Sequence, residues 1–164
     1  MKCVFERLAE QHRKPVIDIF NFFGTNGFAA YPETKVDYSF FDRLLAMVQG
    51  YPAVVVKDAT DRVVGFGMLC PFHFASTFKR TAEITYFLTP ETTRQGIGTK
   101  ILAILVEEAT KMGVDSILAS ISSRNSESIN FHIKRGFVEC GKLRAVGRKF
   151  GESFDVVWMQ KRLL

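Results

Sequence analysis

The stretch that most constrains the fold is Arg94-Gln95-Gly96-Ile97-Gly98-Thr99, set between a strand-like run and a strongly helical one. Upstream, Ala82 to Leu88 reads as a strand. Downstream, Ile97, Ile101, Leu102, Leu105 and Ala109 fall at helical spacing until Gly113 closes the run. A chain passing from strand to helix through two glycines places a helix N-terminus at the end of a sheet strand. Such a terminus offers unpaired backbone N–H groups and a positive dipole end, and glycine lets a phosphate come close. The loop lacks the Lys-Ser/Thr of a P-loop and the third glycine of a dinucleotide fingerprint. Two readings remain: a pyrophosphate cradle of another kind, or a glycine-rich helix start with no ligand. The other Gly-x-Gly, Gly65-Phe66-Gly67, falls inside a strand and marks a bulge or a close approach.

Around this loop the chain alternates between the two periodicities. Val16, Ile17, Ile19, Phe20 and Phe23 form a helical stripe that stops near Gly24 and Gly27. A loop containing Tyr31-Pro32 leads to a second helix from Phe40 to Val48, ended by Gly50-Tyr51-Pro52. Strand-like runs follow at Ala53 to Lys57 and Val63 to Cys70, joined by the polar turn Asp58-Ala59-Thr60-Asp61 as a hairpin. After the central helix come a strand at Ser116 to Ile121, a helix at Asn125 to Lys134 stopped by Gly136, and strands at Phe137 to Cys140 and Ser153 to Gln160. The order predicts a mixed α/β (α+β) sheet, not a doubly wound parallel one. No linker or repeat divides the chain, so residues 1–164 are expected to form a single domain.

Composition excludes more than it identifies. The hydrophobic fraction of 47% is that of a globular protein. No run approaches the roughly 20 apolar residues that span a membrane, and Met1 to Arg7 has no apolar core of a secretory signal. A cytoplasmic protein is expected. Cys3, Cys70 and Cys140 are scattered and odd in number, which points to reduced packing residues and to no metal site. The net charge of +5 permits an anionic partner, but nucleic-acid motifs are absent and a phosphate-bearing ligand suits the charge equally well.

The order strand, Gly-x-Gly loop, helix, strand, then Asn125-Ser126-Glu127-Ser128 leading to Arg135-Gly136-Phe137, resembles the GNAT superfamily of acyl-CoA-dependent N-acyltransferases. Thr81-Ala82-Glu83, the stretch Leu143 to Gly151 and Asp155-Val156 resemble its phosphinothricin (methionine sulfoximine) acetyltransferase-like subfamily, over nearly the whole chain. The resemblance implies a mostly antiparallel twisted sheet flanked by helices, acetyl-CoA as co-substrate, a small-molecule primary amine as acceptor, and a homodimer. The superfamily loop motif is Arg/Gln-x-x-Gly-x-Gly/Ala, and Thr93 stands at its first position here.

By the same resemblance Glu83 is the general base, acting directly or through a water. From the residues alone it reads as an exposed strand carboxylate. His132, four residues before Gly136, stands where many relatives carry a tyrosine that protonates the sulfur; it reads otherwise as a packed helix histidine beside Phe131. Tyr86, Phe87 and Leu88 are expected to offer backbone groups to pantetheine and thioester, Arg94, Gln95, Gly96, Ile97, Gly98 and Thr99 to hold the pyrophosphate, and Asn125 and Ser128 to reach the pantetheine arm. Asn125 and Ser128 also suit a helix start. Asn21 and His73 are the expected substrate residues, His73 falling where relatives place an Arg or Lys to grip a carboxylate. The acceptor implied is an amino acid or analogue such as phosphinothricin or methionine sulfoximine. A protein N-terminal acetyltransferase and a catalytically silent acyl-CoA sensor remain the alternatives.

Overall fold

The structure is a computed structural model and describes residues 1–163. Seven strands form one sheet: β1 (Val4–Arg7), β2 (Ala53–Lys57), β3 (Val63–Pro71), β4 (Thr81–Leu88), β5 (Ser116–Ser122), β6 (Val138–Lys149) and β7 (Glu152–Arg162). Their spatial order is β1-β2-β3-β4-β5-β7-β6. Every pairing is antiparallel except β4 with β5. Among the described residues the four α-helices are α1 (Arg13–Thr25), α2 (Phe40–Met47), α3 (Ile97–Lys111) and α4 (Ser126–Lys134). This agrees with the mixed, mostly antiparallel sheet expected from the sequence.

The helices divide between the two faces. On one, α1 and α2 bury Val16, Ile17, Ile19, Phe41 and Leu44 against Val55, Phe66 and Met68. On the other, α3 lays Ile97, Ile101, Leu102, Leu105 and Ala109 over Leu69, Ala82, Ile84 and Ile117. Each such side chain contributes on the order of 1.5–3 kcal/mol of burial. A Cβ at Gly67 would run into Ile101 of α3, so the close approach of helix to sheet needs that glycine. A one-residue register slip between β2 and β3 sits beside Gly65. Both sequence readings of Gly65-Phe66-Gly67, bulge and close approach, therefore hold.

The Asp58–Asp61 turn is the expected hairpin. Asp58 Oδ1 accepts from the Thr60 amide at 2.9 Å and the Arg62 amide at 3.1 Å, and these bonds, with the Thr60 hydroxyl first among them, hold its carboxyl down at about 2. The main difference lies at the C-terminal end. The late strands run well beyond Phe137 to Cys140 and Ser153 to Gln160, as a long hairpin of β6 and β7. β6 is a solvent-exposed edge strand with two register irregularities, so it carries no alternating apolar pattern to read. β1 was also silent in the sequence, being four residues at the opposite edge.

Candidate active site

β4 is paired with β3 along its whole length, from Ala82 opposite Pro71 to Leu88 opposite Gly65. Its pairing with β5 stops early: Thr81, Ala82 and Glu83 face Ser116, Ile117 and Leu118, and nothing beyond. β5 continues to Ser122 against β7. The sheet therefore opens between β4 and β5 just past Glu83, and the β5-facing backbone groups of Thr85 to Leu88 have no strand partner. A ligand with its own amides can bond there as a strand would.

Alternation along β4 puts different chemistry on the two faces. Ala82, Ile84, Tyr86 and Leu88 lie with α3, whereas Phe87 packs with the α1 side. Glu83 shares that second face with Cys70, its partner in register. Its carboxyl is half-buried; burial raises its pKa and the hydroxyl of Ser120 draws it partly back. Ser120 Oγ in turn lies 3.1 Å from the hydroxyl of Tyr31, which stands in the loop after α1 and stacks on Phe154 of β7. Burial first, and the Glu83 charge second, push the Cys70 thiol up to about 11. The same charge raises Tyr31, again behind burial. Glu83, Ser120, Tyr31 and Cys70 thus form one locus around a carboxylate whose pKa burial raises.

His132 lies on the opposite face. It is buried at 3% exposure, and both ring nitrogens are occupied. Nδ1 is 2.6 Å from the Ser128 carbonyl oxygen, which can only accept, so Nδ1 carries the hydrogen. Nε2 is 2.6 Å from the Tyr86 hydroxyl, and the two rings are stacked. Burial lowers the imidazole pKa, the Ser128 carbonyl opposing it, and burial raises the phenol. The neutral imidazole therefore accepts the Tyr86 O–H at Nε2. The structure brings Tyr86, Ser128 and His132 together and sets them apart from Glu83.

At the far end of β4, Gly96 caps α3 with φ 77°, a left-handed conformation that glycine takes without strain. Lys100 N donates to Gly96 O at 3.1 Å, whereas the amides of Arg94 to Thr99 find no acceptor among the described residues. Six free N–H groups at a helix start fit a diphosphate. The exposed Thr93 folds back on its own turn, its hydroxyl donating to Pro90 O at 2.8 Å. The Arg94 guanidinium meets Glu127 at 2.9 Å in an exposed pair that an incoming anion can displace. Thr99 Oγ1 accepts from Arg135 Nε and Nη2 at 3.0 and 2.8 Å. Gly98 lies under Phe131 and Leu88. Asn125 caps α4 by accepting from Ser128 N at 3.2 Å.

Neither expected substrate residue is hydrogen-bonded to Glu83. Asn21 clamps the backbone of Val36, donating to its carbonyl at 3.0 Å and accepting from its amide at 2.8 Å. It lines a cleft of about 550 Å³ to which Glu83, Tyr31 and Ser120 do not contribute. His73 stands in the turn after β3, accepting from Ala75 N, stacked on Phe74 and tilted against Phe78. Phe78 leads through Phe72 to Trp158, opposite Ser120 in register, so His73 is linked to the rim of the Glu83 locus. Sequence reasoning missed Ser120, Tyr31 and the Tyr86 hydroxyl. Ser116, Ser120 and Ser122, sharing one face of an otherwise apolar strand, were the available signal for Ser120.

The Acetyltransferase (GNAT) family model matches residues 16–137. The chain is similar to the L-methionine sulfoximine/L-methionine sulfone acetyltransferase of Pseudomonas aeruginosa, 32% identical over 90% of this chain and 87% of the relative. Its fold is similar to that of a phosphinothricin acetyltransferase from Sinorhizobium meliloti solved with AcCoA, with TM-score 0.92, 27% identity, and 99% and 89% of the two chains covered. It is similar also to the ribosomal-protein-alanine N-acetyltransferase of Brucella melitensis, with TM-score 0.89, 32% identity, and 97% and 99% covered. The glycine loop, the opened sheet and these likenesses agree: the chain belongs to the acetyltransferase (GNAT) family.

Proposed function

We propose that this chain moves an acetyl group from acetyl-CoA to the primary amine of an amino acid or amino-acid analogue, by direct transfer within a ternary complex. The observation that carries this reading is the opening between β4 and β5, with free amides at one end and a half-buried carboxylate at the other. The loop from Arg94 to Thr99 holds the diphosphate, and the bare edge of Thr85 to Leu88 bonds the pantetheine amides. This sets the thioester beside Glu83. An amine is protonated at neutral pH and attacks only after losing that proton. Glu83 takes it, directly or through a water, and the His132 side of the opening serves the departing sulfur.

Thiol release from acetyl-CoA, followed against amino acids, methionine sulfone and sulfoximine, phosphinothricin, polyamines and short peptides, tests the reading. Turnover on the amino-acid analogues is expected. Turnover on peptides alone would favour the protein N-terminal acetyltransferase, to which the Brucella melitensis likeness lends weight. Binding of acetyl-CoA with no acceptor would favour the sensor.

The reading extends to a cytoplasmic homodimer. The edge strand β6 leaves Val138, Leu143 and Val146 exposed, apolar surface that a second copy would cover. Light scattering on the purified protein is expected to give twice the chain mass, and Leu143→Glu to shift it toward the monomer.

A further inference from the structure

We propose that the acceptor is an amino acid with an aromatic side chain, its ring seated among Tyr31, Phe72 and Trp158 beside Glu83, an inference that rests on the chain acetylating an amino-acid amine. The helices leave this part of the sheet open. On the Glu83 face, α1 and α2 pack over Val55, Phe66, Met68 and Phe87. Leu118 and Trp158, nearer the C-terminal hairpin, join neither helix-covered core. What gathers over them is aromatic. Tyr31 reaches Ser120 Oγ at 3.1 Å and stacks on Phe154, with ring centroids 6.0 Å apart. Phe72 meets Trp158 edge to face at 6.4 Å.

Register sets these rings around the carboxylate, because cross-strand partners share a face. Glu83 is opposite Leu118, and the next residue on that face of β5, Ser120, is opposite Trp158. Phe72 continues β3, its amide donating to Thr81 O, and Thr81 lies opposite Ser116. Phe72 and Trp158 thus start from rows four residues apart along β5, roughly 13 Å. For their rings to meet, both side chains lean inward over the row of Glu83 and Leu118. Phe154 stands past the other end of β5, since its neighbour Asp155 is bonded to Ser123. The half-buried Glu83 carboxyl therefore lies between two aromatic pairs. Tyr31 and Phe72 keep 46% and 37% of their surface exposed, contact area open to a ligand ring.

Charge selects the side chain as well. The α-carboxylate is common to every amino-acid acceptor, so discrimination falls to the rest of the molecule. An anionic phosphinate would share the site with the Glu83 carboxylate and would need a cation to offset the repulsion. The cations of this region are engaged elsewhere. Lys149 Nζ donates to the Ala30 carbonyl at 2.6 Å, Arg124 pairs with Glu152 at 2.9 Å, and Arg80 pairs with Asp115 at 2.5 Å. A sulfone needs hydrogen-bond donors, and the hydroxyls of Tyr31 and Ser120 are already bonded to each other. An aromatic ring asks for neither. It packs edge-on or offset against Phe72 and Trp158 and leaves its amine beside Glu83.

The test compares thiol release from acetyl-CoA with L-phenylalanine, L-tryptophan, L-methionine sulfone and phosphinothricin as acceptors. The aromatic acceptors should exceed the sulfone in kcat/KM by roughly tenfold or more, with phosphinothricin the poorest. Phe72→Ala should lower kcat/KM for L-phenylalanine roughly tenfold, chiefly through KM, and for the sulfone by about twofold at most. A wild type that prefers the sulfone or phosphinothricin, or equal losses on both acceptors in Phe72→Ala, would overturn the aromatic site. The wild-type ranking decides even if Phe72→Ala folds poorly. Trp158 is the one tryptophan of the chain, so its fluorescence reads occupancy without turnover. L-phenylalanine added to the CoA-bound protein should shift that emission saturably, and Phe72→Ala should raise the Kd roughly tenfold. An emission that L-phenylalanine leaves unchanged in the wild type would also overturn the site. A wild type that binds CoA and L-phenylalanine but acetylates no amine would count against the proposed function alone, the fluorescence titration then upholding the aromatic site.

Discussion

At the scale of single residues, the proposed reaction turns on a carboxylate whose surroundings resist its charge. Burial raises the Glu83 pKa and the Ser120 hydroxyl offsets part of the rise. A base must be ionised to work, so kcat/KM should fall as pH drops through that raised value, with an acid limb above the usual glutamate range. Glu83→Gln is expected to lower kcat roughly 10²–10⁴-fold and to flatten that limb, with acetyl-CoA affinity unchanged by titration. Stability runs the other way. Between the unfolded and folded pKa values the folded form binds more protons, so Glu83 detracts from stability as pH rises through that window. The glutamine variant should therefore melt no lower than wild type at neutral pH. Glu83 and His132 were singled out in the sequence only because they sit in motifs that resemble a family's. Tyr31 was not: periodicity names the face a residue occupies, but not which distant loop folds over it. Nor could spacing reveal that the Tyr86 hydroxyl occupies the second nitrogen of His132.

At the scale of elements, the junction of β4 and α3 was the most readable part of the chain. Its apolar spacing and its glycines both describe local backbone, which a short window contains. Gly96 takes φ 77° with open space where a Cβ would stand. Gly96→Val is accordingly expected to cost about 1–2 kcal/mol from the left-handed conformation, seen in a thermal melt. It should also raise the Kd for acetyl-CoA by roughly tenfold or more, because a branched side chain crowds the amides that face the diphosphate. The kcat at saturating donor should change little. The hairpin of β6 and β7 was poorly readable for the opposite reason. Its length depends on cross-strand partners, with Gly147 lying under the Phe154 ring and Asp155 accepting from Ala145 N at 2.7 Å. Sequence windows do not contain such pairs.

At the scale of the molecule, one buried lysine ties the loop that carries Tyr31 to the C-terminal hairpin. Lys149, 1% exposed at the end of β6, donates to the carbonyl of Ala30 at 2.6 Å, and Glu33 accepts from the Phe150 amide close by. These bonds hold the loop that carries Tyr31 to Ser120. Lys149→Met fills the space but leaves a buried carbonyl without its donor, at about 1–3 kcal/mol. The KM for the acceptor should rise several-fold, while the KM for acetyl-CoA stays as it was. Equal changes in both constants would refute the latch.

The gap between β4 and β5 also sets the traffic of turnover. Because it joins the two faces of the sheet, a donor and an acceptor bound as proposed would arrive by separate doors, neither blocking the other's way in. A spent carrier can then depart while the acetylated product is still seated, or the product can go first, without an obligatory queue.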